Sequence, residues 1–253
     1  LAQREHINNL KSEIKSLEEE KKRLEASGQR QQGDDIRQLI GDGDRQYLTG
    51  LQLGGNRILI LLDSSASMLD HSIVNIIRRR NMDEETKRNS PKWQRAVGTV
   101  EWLLSQFPRR SWYQVYTFNA EVASVLSDTQ GEWLEVEDSD QVAQSIERLN
   151  QVIPAGPTDL EKVFDAAREM APQADNIILI PDGLPTQGKS KPFGNTVSGK
   201  KRMSYFEDAV DELPKGIPVN TILFPMEGDP FAASAFWKLT MQSDGAMISP
   251  SYD

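Results

Sequence analysis

The apolar run from Arg57 to Leu62 ends on the carboxylate of Asp63, and hydroxyls follow two and four residues later at Ser65 and Ser67, in RILILLDSSASM. A second carboxylate, Asp182, follows a second apolar run in NIILIPDGLPTQG, and between the two comes Thr158 in the turn AGPTD. These two carboxylates and three hydroxyls are all hard oxygen donors, with no His, Cys or Lys among them. Mg2+ prefers octahedral oxygen coordination, often keeps waters, and needs only one or two carboxylates. An all-oxygen set favours Mg2+, Mn2+ or Ca2+ over zinc or copper. Each piece also has an ordinary reading. Asp63 and Ser65 fit an Asx-turn, Thr158 with Glu161 fits a T-x-x-E capping box, and Asp182-Gly183 fits a plain turn.

What joins the pieces is the order of elements. RILILL (57–62), NIILI (176–180) and VNTILF (219–224) are near-continuous apolar runs, as strands buried on both faces require. Between them the pattern predicts helices: one opened by Ser90 as N-cap with Pro91 at N1 and an apolar side made of Trp93, Val97, Val100, Leu103 and Leu104, one at about 139–150, one at about 159–170, and one near 230–241. Residues 112–126 read as two strands joined at Asn119-Ala120, and AMISP closes the domain as a last strand. Parallel buried strands separated by helices predict an α/β, doubly wound sheet with helices on both faces. In such sheets ligands sit beyond the carboxyl ends of the strands, so Asp63 and Asp182 should face one crevice.

Composition narrows the alternatives. With 253 residues the chain accommodates one large domain plus an appendage. The absence of Cys removes disulfides, thiolate metal sites and cysteine catalysis together, and two His make a histidine-based zinc site implausible. A net charge of −9 disfavours nucleic acid as a partner. Residues 1–27 read as a separate amphipathic helix. Ile7, Leu10, Ile14, Leu17 and Leu24, with Lys21 at the remaining seam position, recur in steps of three and four, the seam of a parallel coiled coil. The flanking pairs Glu13 with Glu18 and Glu20 with Glu25 oppose self-association, so a solvated helix and self-association through 1–27 stand level. Residues 28–55 are a polar linker and lead-in, with a GDGD turn at 41–44, and 56–253 is the main domain.

The chain from about 56 onward resembles a von Willebrand factor A domain carrying the metal-ion-dependent adhesion site of integrin I domains and many bacterial relatives. LLDSSASM, AGPTD, IPDGLPTQG and the closing PVNTILF and WKLTMQSDGAMI carry the likeness. The resemblance implies a mostly parallel six-stranded sheet with one antiparallel edge strand. It also implies a divalent cation, Mg2+ with Mn2+ or Ca2+ as substitutes, held by Ser65, Ser67 and Thr158, with Asp63 and Asp182 acting directly or through water. A carboxylate from a protein partner would complete the metal shell. Two departures are visible: Pro181 stands where relatives often have Thr, and the insertion at about 69–89 is longer than the fold needs.

That insertion and the loop 183–202 should both lie on the metal face. They bring Arg78, Arg79 and Arg80, and Lys189, Lys191, Lys200, Lys201 and Arg202. A basic rim would steer an acidic ligand toward the cation; a solvated loop with no specific role is the plain alternative. The expectation is a non-enzymatic, cation-dependent protein-binding module. A scaffold working through the N-terminal helix ranks second, and a metal-dependent phosphoryl-transfer enzyme third, since neither a P-loop nor a G-x-S-x-G elbow is present. The start at Leu1, taken with family habit, sets a further expectation of an upstream membrane anchor and a periplasmic or otherwise extracytoplasmic domain in a bacterium, with the cytoplasm as the alternative.

Overall fold

A computed structural model describes residues 51, 54–189 and 196–250. The chain divides into two units, Leu1–Ile36 and Arg37–Asp253, and the described residues all belong to the second. The heptad segment, the GDGD turn and Lys191 lie outside the described residues.

Strand β1 (Arg57–Asp63) shows why its sequence is apolar without alternation. Successive strand side chains point to opposite faces. Ile58, Ile60 and Leu62 enter one core, and Leu59 and Leu61 enter the other. Each of these five is fully buried, contributing roughly 1.5–3 kcal/mol. The first core is completed by α3 (Pro91–Gln106), through Trp93, Val97, Val100, Leu103 and Leu104, and by α4 (Ser139–Gln151), through Val142 and Leu149. The second is completed by α5 (Leu160–Glu169), α6 (Gly199–Glu212) and α7 (Ala232–Gln242), which supply Phe164, Phe206 and Phe236 among others. Helices therefore cover both faces, as the doubly wound reading requires.

Strands β2 (Trp112–Phe118), β5 (Asn176–Ile180), β6 (Val219–Ile222) and β7 (Met247–Ile248) lie parallel to β1 or to one another in the order β2-β1-β5-β6-β7. The sheet has seven strands rather than the expected six. Two short strands, β3 (Val122–Ser124) and β4 (Leu134–Glu135), run antiparallel along the outer edge of β2, one against residues 116–118 and one against 112–113. A two-residue strand carries no periodicity of its own, so β4 exists only because β2 offers it an edge. It also blunts that edge against pairing with other chains.

Because β1 lies between β2 and β5, the chain leaves it to one side and returns on the other. The strand order reverses there, which opens a crevice at the carboxyl ends of β1 and β5. The insertion after β1 folds into a 3-10 turn (Ala66–Leu69), α1 (Ile73–Arg80) and the short α2 (Glu84–Arg88). Ser90 and Pro91 open α3 as expected, although Ser90 Oγ donates to Thr86 O at 3.2 Å instead of capping the helix. Among the described residues no helix is long and apolar enough to cross a membrane.

Candidate metal centre

At the end of β1, the Ser65 amide donates to Asp63 Oδ1 at 2.7 Å, so the Asx-turn does form. It uses only one carboxylate oxygen. Asp63 Oδ2 is buried and has no hydrogen-bond partner among the described residues. Ser65 Oγ and Ser67 Oγ hydrogen-bond to each other at 2.8 Å, and Ser67 Oγ donates to Asp182 Oδ1 at 3.0 Å. A chain of side-chain oxygens thus runs from the β1 loop to the β5 loop.

Thr158 joins through main-chain bonds. Ala155 N donates to Ser64 O at 2.9 Å and Ala66 N to Gly156 O at 3.0 Å, tying the AGPTD turn to the serine loop. On the other side the Thr158 amide donates to Thr186 Oγ1, and its carbonyl accepts from Thr186 N and Gln187 N. Gly156 has φ +79°, a conformation that favours glycine at the crossing point. The T-x-x-E capping box does not form. Asp159 caps α5 by accepting from Lys162 N, and Glu161 accepts instead from the Lys189 amide at 2.8 Å. Among the described residues no three His, Asp or Glu side chains converge in a way that would hold a metal. The hydroxyls are therefore indispensable to any cation site here, and the hard, two-carboxylate donor set suits Mg2+ or Mn2+.

Electrostatics reinforce the fit. Burial pushes the Asp63 carboxyl up from its ordinary 3.8 to about 7, the Asp182 carboxylate adds to the shift, and the Ser65 hydrogen bonds and Lys92 oppose it. A buried carboxylate oxygen without a donor, beside a second carboxylate, is costly unless a cation meets it.

One residue of the cluster is not among those the sequence singles out. Lys92, in the first turn of α3, is buried with the core, and its Nζ donates to Asp182 Oδ2 at 2.7 Å, Ser67 O at 3.1 Å and Asp70 O at 3.3 Å. An ammonium in the first turn opposes the helix dipole. A Lys beside Trp93 on the apolar side of a helix was the only signal in the sequence, and it names no partner.

A family model for the von Willebrand factor type A domain matches residues 58–184, half of the chain. The chain belongs to this family. Domains of this kind commonly mediate metal-dependent protein interactions. No curated protein matches the chain. Among solved structures, a von Willebrand factor type A protein from Catenulispora acidiphila is 15% identical with a TM-score of 0.52, over 78% of this chain and 39% of that one. The conserved hypothetical protein BatB from Bacteroides thetaiotaomicron is 15% identical with a TM-score of 0.47, over 79% and 92%. Proximal thread matrix protein 1 from the mussel byssus, with a zinc-occupied MIDAS motif, is 13% identical with a TM-score of 0.45, over 78% and 44%. The chain spans about two fifths of the first of these, and at such identity the likeness is one of fold alone.

Around the centre of this vWA domain the basic residues divide into two groups. Arg79 Nε donates to Asp70 Oδ2 at 3.1 Å, Lys189 Nζ pairs with Glu161 and Glu212, and Arg202 holds Asp229 Oδ2 and Leu184 O. These three are committed to internal partners. Arg78, Arg80 and Lys200 are exposed, and Lys201 is exposed with its Nζ 4.5 Å from the centre of the Tyr205 ring. On α1 the side chains of Ile73, Val74 and Ile77 are exposed beside those arginines.

Gly183, next to Asp182, is fixed by a close approach. A Cβ there would lie 2.7 Å from Asp229 Oδ2 and 3.1 Å from Arg202 Nη2, the ion pair that also receives the Leu184 amide. Gly183→Ala is expected to push that pair aside and cost about 1–3 kcal/mol as local overpacking. Urea denaturation of the two proteins checks this, and an unchanged midpoint would show that the ion pair yields freely.

Proposed function

We propose that this vWA domain is a non-enzymatic protein-binding module that depends on a divalent cation. Ser65, Ser67 and Thr158 would hold Mg2+ or Mn2+, with Asp63 and Asp182 acting directly or through water. The observation that carries the reading is the buried Asp63 Oδ2, unpartnered beside the linked Ser65 and Ser67 hydroxyls at the strand-order reversal. When bound, the cation supplies a fixed positive centre that an exposed Asp or Glu of a protein partner can ligate. The protein's own part is to hold five oxygens in one crevice and to exclude water from Asp63.

The surroundings favour a partner that is acidic and partly apolar. Arg78 and Arg80 form no ion pair among the described residues, and they flank the exposed Ile73, Val74 and Ile77 one short loop beyond Ser67. Charge complementarity of this kind raises association rates and selects partners more than it raises affinity.

Calorimetric titration of Mg2+ and Mn2+ into the whole chain tests it. The wild type is expected to take up a single ion, and Thr158→Ala to lose roughly tenfold or more in affinity through loss of a ligand. An acidic peptide should bind with the cation and dissociate on chelation. Metal uptake should also release a proton at lower pH. Because burial pushes the Asp63 carboxyl up to about 7, apparent Mn2+ affinity is expected to fall as pH drops below about 7, toward roughly tenfold per unit. A flat pH profile, or an acidic peptide that binds equally well in chelator, would contradict the assignment.

A further inference from the structure

We propose that Lys92 sets the charge of the cation site, so that a divalent ion is held firmly only when a partner carboxylate arrives with it. This rests on the cation-dependent reading above and names the residue that makes the dependence strong.

The argument starts from hydrogen-bond capacity. An ammonium has three N–H donors, and Lys92 has three acceptors, Asp182 Oδ2, Ser67 O and Asp70 O. Its side chain is 3% exposed and that of Asp182 is 2% exposed, so water competes with neither. The head is fixed in place. Asp182 is consumed at both ends, Oδ1 by Ser67 Oγ and Oδ2 by Lys92. Asp63, by contrast, keeps an oxygen with no hydrogen-bond partner among the described residues.

The buried cluster therefore holds two carboxylates against one ammonium. A divalent ion entering it meets a net single negative charge and leaves an excess of one positive charge in a poorly solvated place. Charge imbalance there costs far more than it would in water. None of the three hydroxyls removes it, whereas one carboxylate from outside does. Ion and carboxylate then favour each other's binding by the same factor, as linkage requires. A site with both carboxylates free would hold the ion without help and would discriminate less between a bare cation and a cation plus partner.

A purely structural Lys92, a strut tying the 3-10 turn to the β5 loop, would leave that mutual dependence untouched. Mn2+ titration into the whole chain, with and without acetate, separates the two roles. Wild type is expected to bind Mn2+ weakly alone and more tightly with acetate. Lys92→Met should bind roughly tenfold or more tightly without acetate, since one opposing charge is gone, and acetate should add little. Lys92→Gln, which removes the charge but keeps an N–H donor for Asp182, should tighten acetate-free binding in the same direction. Lys92→Arg, which keeps the charge, should not tighten binding.

A folded Lys92→Met that binds acetate-free Mn2+ no better than wild type overturns the inference and leaves the cation-dependent reading standing. If Lys92→Met fails to fold, Lys92→Gln decides: tighter acetate-free Mn2+ binding than wild type supports the inference, and binding no tighter than wild type overturns it. Silence of wild type and all variants, even with acetate, removes the cation-dependent reading and this inference together.

Discussion

Replacing Asp63 with asparagine is expected to make the metal-free protein more stable at neutral and alkaline pH and to abolish its response to Mg2+. The carboxyl of Asp63 is pushed up from 3.8 to about 7, first by burial and then by the Asp182 carboxylate. For an acid shifted in this direction the folded state binds the proton more tightly than the unfolded chain does. Stability is unaffected below about pH 4, falls as pH rises toward 7 while the unfolded chain ionises and the folded one resists, and levels off above. The full cost of the charge is on the order of 4 kcal/mol, three units at about 1.4 kcal/mol each. Asparagine removes that cost but places amide hydrogens where Oδ2 had no partner, which returns about 1–3 kcal/mol. The net expectation is a gain of about 1–3 kcal/mol at pH 8 that shrinks as pH falls and becomes a loss of about 1–3 kcal/mol near pH 4, where wild type no longer carries the charge. Added Mg2+ should stabilise wild type and leave Asp63→Asn unmoved, so the two thermal melting curves should exchange order when the cation is supplied. A variant less stable than metal-free wild type at pH 8 would mean that Asp63 is not held under strain for a cation.

The parts of this site visible in the sequence were those whose signal is local. RILILL reads as a doubly buried strand because every residue in it meets one core or the other. The D-x-S-x-S spacing follows directly from a strand end, and the structure brings Asp63, Ser65, Ser67 and Asp182 into one hydrogen-bonded series. What the sequence hid depends on distant partners. Lys92 and Asp182 are ninety positions apart, and nothing near either of them names the other. The loop carrying Lys189 holds no acid of its own, so it read as free positive charge. Folding brings Glu161 and Glu212 to it from two helices. The capping-box reading of Thr158 failed for a subtler reason: Asp159, one residue on, is the better-placed acceptor for Lys162 N. With α5 capped by its neighbour, Thr158 is not needed to begin a helix.

Asp182→Ala should destabilise the fold even with no metal present, because of what it leaves behind. Removing the carboxylate strands the Lys92 ammonium in a place where its side chain is 3% exposed. Breaking a buried ion pair from one side typically costs 3–5 kcal/mol, whereas replacing both partners with neutral groups is often harmless. Two neighbouring effects adjust the figure. Ser67 Oγ loses its acceptor on Asp182, which adds to the cost. Asp63 loses the repulsion of Asp182, which gives some back. A net loss of about 3 kcal/mol is expected, enough to lower the midpoint of a urea transition plainly. Lys92→Met/Asp182→Ala should recover most of it, so that a double-mutant cycle yields a coupling of at least about 1 kcal/mol. If Asp182→Ala melts like wild type, then Lys92 must find water or another acceptor on losing its partner. The crevice would then be wetter than its burial implies, and the charge balance assigned to the cation site would lose its physical basis. If the coupling is large, the same residue pair both stabilises the loops and limits how strongly the site holds a cation. Stability and cation affinity would then be opposed through one lysine.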